Sequence, residues 1–157
     1  MKKIIGSILA FIVIALFFAL YKLPQEIHVT RSAVQYTENK PEATTQTSIK
    51  IDGNIYRSLF RKPTFKGSIV IDSIPFSKKD TMLDLVAFKE NNNIYEATLA
   101  YQSNQTPYMI SNQGLIWFDT NFEHMNIWAS EKWLGLTDSS EHVYVVAPAS
   151  NLDEAVN

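Results

Sequence analysis

The sequence predicts an N-terminal transmembrane helix followed by one exported α+β domain, mainly antiparallel β with about seven or eight short strands. Three observations predict this class. A long apolar run opens the chain, the remainder alternates apolar and polar residues at strand periodicity, and one segment has helical periodicity. The alternative fold is a small β-sandwich or a partly open barrel, with the single packed helix covering one opening.

The apolar run, Ile4 to Tyr21, contains 18 residues without a charge. As a helix it would be about 27 Å long, close to the roughly 30 Å hydrocarbon core of a bilayer. Two lysines precede it, whereas Lys22 alone follows closely. The positive-inside bias therefore predicts residues 1–3 as a cytoplasmic tail, residues 4–21 as a single-pass signal-anchor in the cell membrane, and the rest outside.

The alternative to an anchor is a signal peptide that is cleaved, which would release a secreted protein. The run is longer than the usual apolar region of a signal peptide, and Tyr21 stands where a small residue is expected before a cleavage site. A lipoprotein anchor is excluded because the chain has no Cys to acylate. Both readings place the working domain outside the cytoplasm.

Composition excludes several classes of chemistry. Without Cys there are no disulfides, thiolate nucleophiles or Cys-ligated zinc, and no motif indicates another cofactor. Of the 14 basic residues, 11 remain beyond Lys22 against 16 acidic ones, so the exported part is acidic. Compartment and charge together exclude nucleic acid as the expected ligand.

Residues 22–47 are predicted to form a juxtamembrane stalk, because the polar, Thr-rich segment 37–48 is typical of a flexible linker. A long loop within the domain is the alternative. Residues 48–157 are then the extracytoplasmic β-rich domain.

Turn residues divide this domain into predicted strands. Asp52-Gly53 predicts a type I′ hairpin turn, and the Asn-rich segment 90–93 predicts a second hairpin. Residues 112–114 are expected to separate two further strands. The continuous apolar run 142–147 predicts a strand buried on both faces.

Residues 121–134 have the pattern of a helix packed on the sheet. Thr120 and Glu123 have the spacing of a capping box, and apolar residues then recur at helical intervals from Phe122 onwards. A second, short helix is expected to start near Ser150.

No catalytic template fits the sequence. His28, His124 and His142 lack the spacing of metal ligands, and a calcium-loop resemblance that starts at Asp119 lacks the required Gly and terminal Glu. Gly-x-Ser-x-Gly does not occur. We therefore predict no enzyme; if a hydrolase or transferase site without a motif exists, His124, His142 and Glu123 are its acid–base candidates.

A basic island is the first candidate binding site. No acidic residue occurs between Asp52 and Asp72, and Pro63 predicts a loop at 61–64. These cations are either ordinary solvated loop charges or a patch that faces lipid headgroups, an anionic envelope polymer or an acidic protein. The island consists of Arg57, Arg61, Lys62 and Lys66.

The three tryptophans, Trp117, Trp128 and Trp133, are the second candidate site. Exposed, they would form a stacking platform for sugars or a partner peptide; buried, they would form the core under helix 121–134. Taken together, the sequence predicts a non-enzymatic interaction module of the cell envelope. It would be bound to the bilayer through residues 4–21 and would contact an envelope protein or an anionic polymer. An enzyme, or a ligand-sensing domain working through a membrane partner, is the alternative.

Overall fold

One sheet of ten antiparallel strands dominates the fold and curls into a half-barrel. The computed structural model describes residues 2–20, 23–58, 61–89, 93–104, 110–130 and 141–156. The predicted antiparallel β class is thus confirmed, in the form of the partly open barrel. The strands are β1 (Leu23–Thr37), β2 (Lys40–Ser58), β3 (Arg61–Ile71), β4 (Thr81–Met82), β5 (Leu85–Val86), β6 (Phe88–Lys89), β7 (Tyr95–Gln102), β8 (Ile110–Phe118), β9 (Met125–Ser130) and β10 (His142–Ala147). The helices are α1 (Lys2–Leu20) and α2 (Leu152–Val156), with a 3₁₀ turn at Pro75–Lys78.

The strand order brings the two ends of the sheet together. The order is β4-β7-β8-β9-β10-β1-β2-β3-β5, and β6 pairs with β7. Although β3 and β7 lie near opposite ends of this order, β5 contacts β7, and β3 contacts both β4 and β6. The Tyr101 hydroxyl on β7 donates a 2.6 Å hydrogen bond to the Ile69 carbonyl on β3. The sheet therefore curves around one interior. In barrels, such curvature goes together with tilted and staggered strands.

The interior is filled by alternate residues of the long strands. On β9, for example, Met125, Ile127 and Ala129 are buried, while Asn126 and Trp128 face outwards and are half-buried. This period of two gives every strand an inner and an outer face. The largest side chains of the interior are Ile49, Ile51, Ile55, Phe65, Ile69, Ile71, Ile74, Leu85, Leu99, Tyr101, Phe118 and Phe122.

The prediction of a juxtamembrane stalk at residues 22–47 is wrong for the residues that the structure describes. Residues 23–47 lie in β1 and β2, which pair along almost their whole length, and Ile27, Ala33 and Val34 are buried. Residues 43–46 of the Thr-rich segment are exposed strand, because pairing with β1 satisfies their backbone without any need for apolar side chains. Asp52-Gly53 is likewise no turn but the middle of β2.

The predicted helix 121–134 is wrong. Asp119 precedes a turn, and β9 follows at Met125. The backbone of this turn is held by Asp119 rather than by the predicted capping box of Thr120 and Glu123: the Asp119 carboxylate accepts the backbone N–H groups of Asn121, Glu123 and His124. Residues 131–134, the end of the predicted helix, lie outside the described residues.

Of the other local predictions, some are confirmed and some are wrong. The hairpin around 90–93 is confirmed by the pairing of β6 with β7, and α2 is the expected short helix. Residues 112–114 do not form a turn but continue β8, and β10 alternates between faces instead of being buried on both. The described residues form ten strands rather than seven or eight, because the segment 81–89 forms three two-residue strands.

The apolar run at the N-terminus forms α1, with its described large apolar side chains exposed. Among the helices in the described part of the chain, none has both the length and the apolar character needed to cross a membrane.

Two glycines face each other where β2 and β3 approach closely. Gly53 pairs with Gly67, and a Cβ added at Gly53 would lie 2.3 Å from the Lys66 carbonyl oxygen and 2.7 Å from the Gly67 Cα. Glycine inside a strand often marks such a backbone approach. We expect Gly53→Ala to lower the free energy of unfolding by about 1–3 kcal/mol, as overpacking does. Urea denaturation measures this loss; the same stability as in Lys50→Ala, an exposed control on β2, would contradict it.

Candidate functional site

The outer face of β7 to β10 carries a row of cross-strand partners that reaches β1. Leu115 lies opposite Trp128, Trp128 opposite Tyr144, and Tyr144 opposite Tyr36. All four side chains are half-buried. Such directly opposed side chains contact each other, so the register builds one continuous apolar and aromatic surface.

Three hollows with shared lining residues lie side by side along this surface. The central hollow, which we call the aromatic furrow, is lined by Leu115, Trp117, Asn126, Trp128 and Tyr144. Its volume is about 400 Å³; a hollow of about 520 Å³ adjoins it at Trp117 and Asn126, and one of about 340 Å³ adjoins it at Leu115 and Trp128. Along β9 the combined hollows span residues 125–130, or roughly 17 Å of strand.

Neighbouring side chains hold the rings of the aromatic furrow in place. The indole N–H of Trp117 donates to the Glu96 carboxylate at 3.0 Å. Trp128 stacks on the His142 ring, with centroids 4.5 Å apart. Tyr144 stacks on Tyr36 at 5.2 Å. A surface fixed in this way loses little conformational entropy when a ligand binds.

Asn126 lies in the floor of the furrow between the two tryptophans. Its side-chain oxygen is buried and has no hydrogen-bond partner among the described residues. A buried polar atom without a partner is unfavourable, so Asn126 lowers the stability of this face of the sheet.

Two of the three tryptophans that the sequence predicts as a candidate site line the furrow. Trp117 and Trp128 lie together in the furrow on the outer face, not in the core, while Trp133 lies outside the described residues. Asn126 and Tyr144 complete the furrow. The sequence does not predict Asn126 and Tyr144 as site residues, because their position beside the tryptophans depends on the register between strands.

The basic island does not form one surface. Arg57 is on the inner side of β2, where its guanidinium donates to the Gln25 side chain and to the Thr120 carbonyl. These bonds tie β1, β2 and the turn after β8 together. Lys62 and Lys66 are exposed on the outer side of β3. The side chain of Arg61 is outside the described residues, although its backbone begins β3 rather than a loop.

The two outer lysines have different partners. Lys66 forms a 2.6 Å ion pair with Asp84, and this hydrogen bond and charge raise the pKa of Lys66. The Lys62 ammonium lies 3.5 Å from the centroid of the Phe88 ring. The positive charge of Lys66 is thus locally compensated, while Lys62 makes a cation–π contact with an exposed ring.

The turn at Asp119 borders the hollow of about 520 Å³. Asp119 and His124 line it, and their side chains approach to 2.9 Å. Together with Glu123 they bring three potential metal-ligand atoms within 4.8 Å of one another. The hydrogen bonds inside the turn account for Asp119 and His124 without an ion, and the cluster lacks other features of a calcium loop.

Acid should weaken this turn. Burial alone would raise the pKa of Asp119, but hydrogen bonds from the His124 side chain and from backbone amides outweigh it and lower that pKa. Because the folded-state pKa lies below the unfolded value of about 3.9, the stabilisation is present above that pH and is lost as the pH falls through the folded value.

We therefore expect Asp119→Asn to reduce the free energy of unfolding at pH 7 by about 1–3 kcal/mol, with the difference from wild type shrinking below about pH 4. Denaturation curves between pH 7 and pH 3 measure this. A difference that is constant over the whole range would contradict it.

The other histidines also have carboxylate neighbours. His28 lies 3.3 Å from Asp52, and His142 lies 3.1 Å from Glu38. The structure therefore brings the acid–base candidates Glu123 and His124 together in the Asp119 turn, whereas His142 pairs with Glu38 in a different part of the sheet.

Comparison of the chain with protein-family models, with characterised proteins and with solved structures finds no match.

Proposed function

We propose that this protein is a single-pass, membrane-anchored binding module of the cell envelope that has no catalytic activity and contacts a protein partner through the aromatic furrow. The observation that carries this proposal is the fixed cross-strand row of half-buried aromatic rings on the outer face of β8, β9 and β10.

The furrow has the composition of a protein interface. Its floor is aromatic and aliphatic with one amide, and ionisable groups lie at its borders, among them Glu96, Glu154 and His142. Protein interfaces have an aromatic, charge-depleted centre and a polar rim, and tryptophan and tyrosine carry much of the binding energy. The bordering carboxylates favour this partner over an anionic polymer.

The anchor is supported by the uncharged run from Ile4 to Tyr21 and its flanking lysines. Within α1, large apolar side chains such as Phe11 (75 % exposed) and Leu9 (63 %) face away from the protein. Lipid would remove this apolar surface from water. An impermeant maleimide should label Lys50→Cys in intact cells, since the chain has no other Cys.

A hydrolase is the second candidate, because the Asp119–His124 pair borders a hollow of about 520 Å³. A general base oriented by a carboxylate has this arrangement. In that case His124→Ala would abolish the cellular function while leaving partner binding unchanged.

The binding function is tested by affinity capture of the full-length protein from detergent-solubilised membranes. Leu115→Arg places a charge in the centre of the furrow, and Thr30→Arg places the same charge on the exposed outer face of β1. We expect one dominant envelope protein that is captured by wild type and Thr30→Arg but lost with Leu115→Arg. If no captured protein depends on Leu115, the furrow is not the binding site.

A further inference from the structure

We propose that the outer end of the β3–β5–β6 edge rests on an anionic lipid surface. The protein surface that makes this contact consists of Lys62, Val86, Phe88 and Lys89, and we call it the basic rim. The inference rests on the proposed anchor. The residues combine exposed cations with exposed apolar side chains: Val86 is 46 % exposed and Phe88 is 53 % exposed.

Covalent reach places this end of the sheet near the membrane. Only two residues separate the end of α1 at Leu20 from the start of β1 at Leu23, a distance of at most about 11 Å in an extended chain. Leu23 lies directly opposite Arg57, at the end of β2, and β3 returns from there at Arg61. If α1 ends at the lipid interface, Leu23 therefore lies within about 11 Å of it, and the paired β2–β3 end lies one to two strand spacings further.

The rim lies near the start of β3 and along β5 and β6. Thr64 pairs with Val86, and the Lys62 ammonium lies over the Phe88 ring, two residues further along each strand. An apolar ring beside a lysine fits the interface, where the ring enters the headgroup layer and the ammonium meets lipid phosphates. Lys89 follows Phe88 and is also exposed.

Two acidic groups of this region, Asp84 and Glu26, lie further in. Asp84 is paired with Lys66, four residues or about 13 Å along the strand from Lys62. Glu26 belongs to the cross-strand row formed with Asn54 and Lys66, so it too lies further in than Lys62. Its carboxylate is 3.8 Å from the His28 ring. Glu96 lies opposite Phe88 on β7, but its carboxylate accepts the Trp117 indole N–H. Because the charge of Lys66 is compensated by Asp84, Lys66 provides a matched control for Lys62.

The test uses the full-length protein in proteoliposomes, either neutral or with about a third of phosphatidylglycerol. Since the chain has no Cys, an environment-sensitive fluorophore can be attached at Val86→Cys, at Asn39→Cys in the far turn of the β1–β2 hairpin, or at Ile12→Cys in α1. Spin-labelled lipids, modified in the headgroup or in the acyl chain, quench fluorophores in contact with them.

We expect headgroup quenching at residue 86 only with anionic lipid, no quenching at residue 39, and acyl-chain quenching at residue 12. Lys62→Gln with Lys89→Gln should lower the ratio of docked to undocked protein about fivefold for each cation removed, and Lys66→Gln should leave it nearly unchanged.

The outcomes separate the two proposals. Absence of acyl-chain quenching at residue 12 would overturn the anchor itself. Quenching at residue 12 with none at residue 86, or equal quenching at residue 86 in neutral and anionic vesicles, would overturn the basic rim and leave the anchor standing.

Discussion

Phe122→Ala should lower the free energy of unfolding by about 3–5 kcal/mol, the range for removing a buried aromatic ring. Phe122 is fully buried although it lies in a turn. Its ring stacks on Phe118 with centroids 4.4 Å apart, and it lies 5.1 Å from the Phe65 ring. The turn after β8 thus inserts an aromatic ring into the barrel interior and connects β8 with β3.

A second substitution distinguishes packing from backbone strain. Phe122 has a φ of 56°, in the left-handed region that bulky residues rarely adopt. Phe122→Gly loses the same ring but relieves this strain, so we expect it to be no less stable than Phe122→Ala, the reverse of the usual order.

Urea denaturation of the detergent-solubilised protein, followed by tryptophan fluorescence, measures both effects. Glu123→Ala, an exposed neighbour in the same turn, should change the stability by less than about 0.5 kcal/mol. A loss below about 1 kcal/mol for Phe122→Ala would show that the ring is not part of the core.

The largest functional effect is expected from the double substitution Trp117→Ala and Trp128→Ala. Truncation of a central interface tryptophan typically costs 2 kcal/mol or more. We therefore expect the affinity for the furrow's partner to fall by roughly 30-fold for each substitution and by at least about 100-fold for both.

The fold should survive this double substitution, because both rings face outwards from the half-barrel. Tyr56→Ala, a half-buried aromatic on the outer side of β2, is the matched control and should bind normally. Titration of the purified full-length protein with its captured partner measures both. Equal weakening by the control would assign the effect to general destabilisation rather than to the furrow.

The sequence predicts the β class because alternation is a local signal, and the β6–β7 hairpin and α2 because their turn and cap residues are local too. Around residues 121–134, two periodicities compete. Phe122, Met125 and Ala129 fit a helical stripe, yet Met125 and Ala129 also alternate as strand residues with buried Ile127. Pairing with β8 and β10 decides in favour of the strand, and such long-range pairing is not visible in one sequence.

The candidate site is predictable only in part for the same reason. Trp117 and Trp128 are recognisable as a cluster, but which face they occupy follows from strand register. The four cations of the basic island are neighbours in sequence, yet strand alternation puts Arg57 on the inner side of the sheet and Lys62 on the outer side.

Site-specific photo-crosslinking in living cells tests the central claim, that an anchored domain binds a partner through the aromatic furrow. A photoreactive amino acid replaces Leu115 in the centre of the furrow or, as control, Thr30 on the outer face of β1. We predict that the Leu115 position forms an adduct with one envelope protein, that Trp128→Ala removes this adduct, and that the Thr30 position does not form it. No adduct at Leu115, or the same adduct from both positions, would contradict the claim.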